Sequence, residues 1–354
     1  MWVIVLCKRI VAFIFAFIFA FPSTVYAQGI SISADNAVVY DKISSAVLYQ
    51  KNSDKRVAMA STTKIMTCLI ACEKLNADDV VIISDNMLKG TEGSLIYLKA
   101  GDKISVYDLI KGAMLASGND AANALAVYIG GSIESFVSLM NDYAKAIGME
   151  STSFATPSGL DSAKHYSTAY DMAKLTAYAL DNELFKSVCS MQKADISING
   201  KTQTIYNHNK LLYQIEDCIG VKTGFTTKAG RCLVTAYEYK GNTIIIVTLN
   251  DSDDWNDHKK LYDYAKRKYK TLAKNEIINI SIVGANESTV SCVAKFDISY
   301  FDDISIKYYY YPILYAPVLQ NTVVGKVKIY SNNRLIGTVD IIAPESVKAW
   351  QTTR

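Results

Sequence analysis

The hydrophobic period switches repeatedly between strand and helix along this chain. Residues 37–50 alternate as two short strands, AVVYD and SSAVLYQ, around a turn. Helical spacing then takes over: from Ser61 to about Lys74, from Val106 to Ala116, on to about Ile129, over Glu134–Ile147 and over Thr168–Leu180. Only Val80–Ile83 reads as a strand within that stretch. Strand pattern returns at Cys232–Tyr239 and Thr243–Leu249, joined by a hairpin turn at Lys240-Gly241-Asn242, and a helix is expected from Trp255 to about Ala273. Strands, a helical insertion, strands and a closing helix make a sheet flanked by helices with a helical subdomain set between its strands.

From Asn275 onward no helical period remains. Ile277–Val283, Thr289–Phe296, Ile304–Tyr310, Val323–Tyr330 and Leu335–Ile342 are strand-like, so residues 275–354 are expected to form a second, all-β domain after a first domain over 28–274. The run Tyr308–Tyr311 reads as an amphipathic sheet edge.

The first 27 residues have the form of an export signal. Lys8 and Arg9 precede the apolar run Ile10–Phe21, and Val25-Tyr26-Ala27 offers a small-x-small cleavage site. Cleavage removes two positive charges from a net +3 and leaves +1. Such a balance, with no long basic run, gives no case for nucleic-acid binding. The expected location is extracytoplasmic: the cell envelope, the outer side of the membrane, or the medium. Six of the seven cysteines lie beyond residue 27. They form no small-scaffold framework and no Cys-x-x-Cys pair, so they read as buried free thiols.

Ser61 stands one helical turn before Lys64, where an apolar helix starts. A serine hydroxyl is a weak nucleophile until a base takes its proton. A lysine can do so when burial or a second cation keeps its amine neutral. Backbone N–H groups at a helix start are also available to a developing oxyanion. Each short pattern alone is weak. Ser-x-x-Lys recurs as Ser190/Lys193, and Ser-x-Asn occurs at Ser84, Ser117, Ser197 and Ser331. Ser190 lacks the apolar helix, Ser197 lies too close to it, and Ser84 ends a strand rather than joining two helices. Lys-Thr-Gly occurs once, at Lys222-Thr223-Gly224. His165, His208 and His258 have no partner motif and read as structural; no HExxH zinc motif is present. No metal and no cofactor are expected.

Ser61-Thr-Thr-Lys64, Ser117-Gly-Asn119 and Lys222-Thr-Gly224, in that order, resemble the serine D-alanyl-D-alanine carboxypeptidases, the low-molecular-mass penicillin-binding proteins. The likeness extends through AVLYQKNSDKRVAMASTTKIMT (46–67), ASGNDAANALA (116–126), FATPSGLDSAKHYSTAYDMAKL (154–175) and GVKTGFTTKAGRCLV (220–234), and the β-rich tail is similar to that family's second domain. The resemblance implies an α/β (α+β) serine β-lactamase/transpeptidase-like fold with an antiparallel sheet. It implies that Ser61 attacks the carbonyl between two terminal D-alanines of a peptidoglycan stem peptide, with Lys64 as general base and Ser117 relaying a proton to the leaving D-alanine. Asn119 would hold the peptide chain, Lys222 would supply positive potential, and Thr223 would bind the terminal carboxylate. Gly224 would leave room for the substrate, and the N–H groups of Ser61 and Phe225 would form the oxyanion hole. β-Lactams would acylate the same serine.

Two features depart from the family. The chain's end, Pro344–Arg354, is too short and polar for the usual amphipathic anchor, so only peripheral membrane or wall association is expected. Glu238-Tyr239-Lys240 carries no arginine where many relatives have a basic residue. Two other functions compete. A class A β-lactamase would need a Glu-x-x-Leu-Asn stretch between Asn119 and Lys222, and Asn182-Glu183-Leu184 does not supply it. A catalytically idle wall-binding protein would not need the whole set of reactive groups.

Overall fold

The computed structural model describes residues 30–350. The expected export signal over 1–27 lies outside the described residues. The chain opens with β1 (Asn36–Asp41) and β2 (Val47–Lys51), then a 3₁₀ turn (Ala60–Thr63) that runs into α1 (Lys64–Lys74). Next come β3 (Val80–Ile82), α2 (Asp85–Leu88), β4 (Lys103–Ser105), α3 (Val106–Met114), α4 (Asn119–Gly130), α5 (Ile133–Ile147), α6 (Ala169–Ala179) and α7 (Glu183–Cys189). A hairpin of β5 (Lys193–Ile198) and β6 (Lys201–Tyr206) leads to β7 (Cys218–Thr226), β8 (Gly230–Tyr239), β9 (Asn242–Leu249) and α8 (Asp254–Lys268). The remainder is strand: β10 (Lys270–Val283), β11 (Thr289–Tyr300), β12 (Ile304–Tyr310), β13 (Ile313–Tyr315), β14 (Val323–Ser331) and β15 (Arg334–Ile342).

The first sheet is antiparallel with strand order β2-β1-β9-β8-β7, so strands at the two ends of the helical insertion share one sheet. One face packs on the insertion through Val38, Val234, Ala236, Ile245 and Val247, in one core with Ile65, Leu69, Leu109, Leu125 and Phe136. The other face meets α8, where buried His258 lies between Thr235 and Thr248 at 2.8 and 3.0 Å. That is the structural use expected of this histidine. Helices of the insertion start on polar caps: Ser105, Ser132, Thr168 and Asn182 each accept an N–H from the first turn.

The second sheet has order β12-β14-β15-β11-β10-β13 and its own core of Ile280, Cys292, Phe296, Val327, Ile329 and Ile341. Helix α8 ends earlier than expected. Lys270 already pairs with Tyr300, and Leu272 pairs with Ile298. Cross-strand partners decide the conformation there, against helical spacing that persists to Leu272. Tyr269 turns extended (φ −70°, ψ 131°) and sets its ring edge-on to Tyr239 and Phe301, at 6.0 and 6.5 Å. The short elements α2, β4, α7 and the β5–β6 hairpin also go beyond what the sequence reading assigned. The six cysteines beyond residue 27 are free thiols; Cys72 is half-buried and the others are buried.

Candidate active site

Ser61 does not cap its helix. The N-cap positions are Met59 for the 3₁₀ turn and Thr63 for α1, and neither makes a side-chain cap bond. The turn is instead fixed by threonines: Thr62 Oγ1 donates to Met59 O at 2.6 Å and Thr63 Oγ1 to Ala60 O at 2.8 Å. Thr63 Oγ1 also lies 2.8 Å from His165 Nε2, while His165 Nδ1 accepts from Ala155 N, so His165 ties the turn to the 154–165 segment. Ala60 sits at φ +48°, the sharp entry that presents Ser61 outward while Thr62 to Ala71 are buried.

Lys64 is wholly buried, and its Nζ lies 2.8 Å from Ser61 Oγ, 2.6 Å from Asn119 Oδ1 and 2.7 Å from Ser158 O. A neutral amine has two N–H groups and one lone pair. The two carbonyl oxygens take the hydrogens, which leaves the lone pair for the Ser61 hydroxyl. Burial, and then the nearby Lys222, hold the Lys64 amine well below the usual lysine range. Burial likewise lowers Lys222 to about 7, and its Nζ donates to Thr223 O at 2.9 Å.

Two glycines allow the close approach of the walls. A Cβ on Gly159 would lie 2.0 Å from Ala60 O, and Gly159 also has φ +92°. A Cβ on Gly224 would lie 2.9 Å from Ser61 N, so a side chain there would press on the Ser61 amide. β7 is the edge strand of its sheet, which leaves its outer backbone groups to face the cleft.

Ser61, Ser117, Asn119, Thr223, Gly224 and Phe225 line one cleft of about 470 Å³. Ser117, at φ +60°, joins α3 to α4. Asn119 Nδ2 donates to Glu92 O, so Asn119 holds both Lys64 and the loop across the cleft. The decoys fall elsewhere: Ser190 ends α7 with its hydroxyl on Ser187 O, Lys193 opens β5, and Ser84 precedes α2.

The fold adds residues that the sequence reading left outside the site, among them His208, which was expected to be structural. Asp120, buried, accepts from the N–H groups of Ile96 and Leu98 and so pins the loop carrying Gly93 and Ser94. His208 also lines the cleft, its imidazole held below the ordinary range by burial and by Lys222. The cation that reaches the cleft from β8 is Arg231, directly across the strands from Phe225. Its guanidinium grips buried Asp254 through bonds of 2.7 and 2.9 Å and lies 5.4 Å from the Trp255 ring centre. Glu238, by contrast, pairs with Lys186 at 2.7 Å, and Lys240 occupies the β8–β9 turn. Counting two-residue register back from the Thr226–Gly230 turn would have found Arg231.

The profile of the D-alanyl-D-alanine carboxypeptidase family matches residues 23–253, and that of the penicillin-binding protein 5 C-terminal domain matches 267–349. D-alanyl-D-alanine carboxypeptidase DacF of Bacillus subtilis is 37% identical over 248 residues, 67% of this chain and 63% of its own length. DacC of Escherichia coli is 36% identical over 278 residues, 73% of this chain and 68% of its own. Penicillin binding protein 5 from Haemophilus influenzae superposes with a TM-score of 0.65 at 28% identity, covering 91% of this chain and 99% of that one. These matches take in both sheets and all three motifs. The chain belongs to the D-alanyl-D-alanine carboxypeptidase family.

Proposed function

We propose that this chain is a serine D-alanyl-D-alanine carboxypeptidase acting outside the cytoplasm on peptidoglycan stem peptides. The observation that carries the reading is the wholly buried Lys64 amine 2.8 Å from Ser61 Oγ, with two carbonyl oxygens beside it to take both N–H groups of its neutral form. Ser61 gives its proton to Lys64 as its oxygen bonds to the penultimate D-alanine carbonyl. Charge builds on that carbonyl oxygen, where the N–H groups of Ser61 and Phe225 serve as donors. Collapse breaks the peptide bond, and the leaving amine takes a proton through Ser117. Water then attacks the ester on Ser61 and frees the shortened stem. Thr223 and Lys222 receive the terminal carboxylate, and the half-exposed guanidinium of Arg231 adds a second cation on the same wall.

β-Lactams place a strained amide in the same cleft and acylate Ser61. The cleft's only carboxylate among the described residues is Asp254, which is bound to Arg231, so rapid deacylation of a β-lactam ester has no obvious base. The test is release of free D-alanine from a peptide ending in D-Ala-D-Ala. Release by the protein and not by Ser61→Ala supports the reading. No release, or fast steady-state hydrolysis of benzylpenicillin, overturns it.

A further inference from the structure

Strand β12 is the outer edge of the second sheet, and its pairing with β14 sets Lys307 directly opposite Lys328 and Tyr309 opposite Lys326. The alternate residues Val327 and Ile329 point into the core, so these three lysines and Tyr309 share the outward face. Like charges placed directly across two strands repel. Neither Lys307 nor Lys328 has a carboxylate partner among the described residues, and Lys326 has only Asp340 at 3.7 Å. The amines rest on rings instead: Lys307 Nζ lies 5.2 Å from the Tyr330 ring centre and Lys328 Nζ 5.3 Å from that of Tyr309. Tyr309 and Tyr311 are 49% and 65% exposed, and with Lys326 and Lys328 they line a groove of about 460 Å³.

We infer that this groove binds the glycan polymer that carries the stem peptides cleaved at Ser61, a strand of neutral sugar rings whose negative charge lies on the carboxylates of its stem peptides. The uncompensated amines call for an anion. Exposed tyrosine rings suit the apolar faces and hydroxyl groups of sugar rings. A shallow groove lined by tyrosine and lysine fits a polar strand better than a bilayer, whose binding surfaces project apolar side chains. The choice of polymer rests on the carboxypeptidase reading, whereas the demand for an anionic polymer does not.

The experiment is co-sedimentation of the full protein with insoluble, purified peptidoglycan, beside the triple variant Lys307→Gln, Lys326→Gln, Lys328→Gln and the single variant Tyr309→Ser. The catalytic cleft is intact in all of them. The protein is expected to pellet, less so as salt rises, and the triple variant to bind roughly five-fold more weakly. D-Alanine release from a short soluble peptide should stay unchanged in the variants, which also reports that they fold. Equal pelleting of variant and parent overturns the inference. So does a parent that stays in the supernatant, or that pellets with phosphatidylglycerol vesicles but not with the polymer. Loss of soluble-peptide turnover in the parent would sink the carboxypeptidase reading alone.

Discussion

The Lys64 amine and the Ser61 hydroxyl lie 2.8 Å apart, one turn from each other, and neither caps the helix they begin. Two accounts of Lys64 then differ in what they require. As a base it must be neutral and free to take a proton; as a structural cation it must only be charged. Lys64→Arg separates them, because a guanidinium keeps its charge and never gives up its proton near neutrality. Lys64→Met and Lys64→Arg should both slow acylation by benzylpenicillin roughly 10³-fold, the scale of a lost general base. Stopped-flow or gel detection with a fluorescent penicillin reads this directly. An arginine variant that keeps a tenth of the parent rate would end the base assignment.

Asn119 Oδ1, 2.6 Å from Lys64 Nζ, is a neutral acceptor that shares the amine without charging it. Asn119→Asp keeps the shape and adds a negative charge beside the amine. An opposite charge at that range raises a lysine pKa by about 1–3 units. The ammonium form then persists to higher pH, so the acid limb of kcat/KM should move upward by at least about one unit. Asn119→Leu removes the acceptor without adding charge, and should lower the plateau while leaving the limb where it was or below. Identical pH profiles for the aspartate variant and the parent would show that Asn119 does not set the protonation of Lys64.

Much of this was legible before any coordinates. Ser61 and Ser117 line the cleft, buried Lys64 reaches Ser61 from behind it, and buried Lys222 donates to Thr223 on its wall; hydrophobic period marks the helix start and the helix–helix joint, whereas the edge strand of Lys222 carries no such mark and was legible only through its motif. The remainder depended on contacts across large sequence gaps. Ser158 O reaches Lys64 from 94 residues away, and no local pattern in Thr156-Pro-Ser-Gly159 announces it. Arg231 stands at the near end of β8, opposite Phe225, whereas the family's basic residue is expected at the far end, around Glu238-Tyr239-Lys240. The expected helix overruns because Tyr269 and Leu272 continue the helical spacing of Tyr262 and Ala265 although the chain leaves the helix after Lys268. Cross-strand pairing with β11, invisible to a local window, settled that boundary.

Gly159 gives a prediction about assembly of the site rather than its chemistry. The Ala60 carbonyl sits where its side chain would be, at 2.0 Å, and the backbone is left-handed there. Gly159→Ala therefore forces the 157–160 segment away from the nucleophile's turn and takes Ser158 O off Lys64. Overpacking and the positive φ together should cost about 3 kcal/mol in stability. Acylation should fall along with the melting temperature. Gly200, also left-handed at φ +76° but with open space around it, is the control: Gly200→Ala should lose about 1 kcal/mol and keep full activity. Equal losses in the two variants would mean that the crowding around Ala60 relaxes freely.

Lys222 makes stability itself depend on pH. Burial lowers its amine from 10.5 to about 7. Below about 7 both folded and unfolded chains hold the proton, and the folded chain bears the whole cost of burying a charge. Between about 7 and 10.5 the unfolded chain still binds a proton that the folded chain has released, so unfolding free energy rises with pH across that window. Above about 8.5 a counter-effect enters. Burial raises the thiols of Cys68, Cys72, Cys189, Cys218 and Cys232, so the unfolded chain gives up protons that the folded chain keeps. The clean interval is therefore pH 7 to 8.5, and the informative quantity is the difference from Lys222→Met, which shares the thiols. Over that interval the parent should gain about 1.6 kcal/mol on the methionine variant, since each pH unit is worth at most about 1.4 kcal/mol for one proton and the folded amine is still half protonated at pH 7. At pH 7 the variant should be the more stable of the two, and nearly inactive. Urea unfolding of both chains at a series of pH values measures this. Parallel curves would place the Lys222 proton on the folded protein throughout, and the positive potential of the cleft would then survive well into the alkaline range.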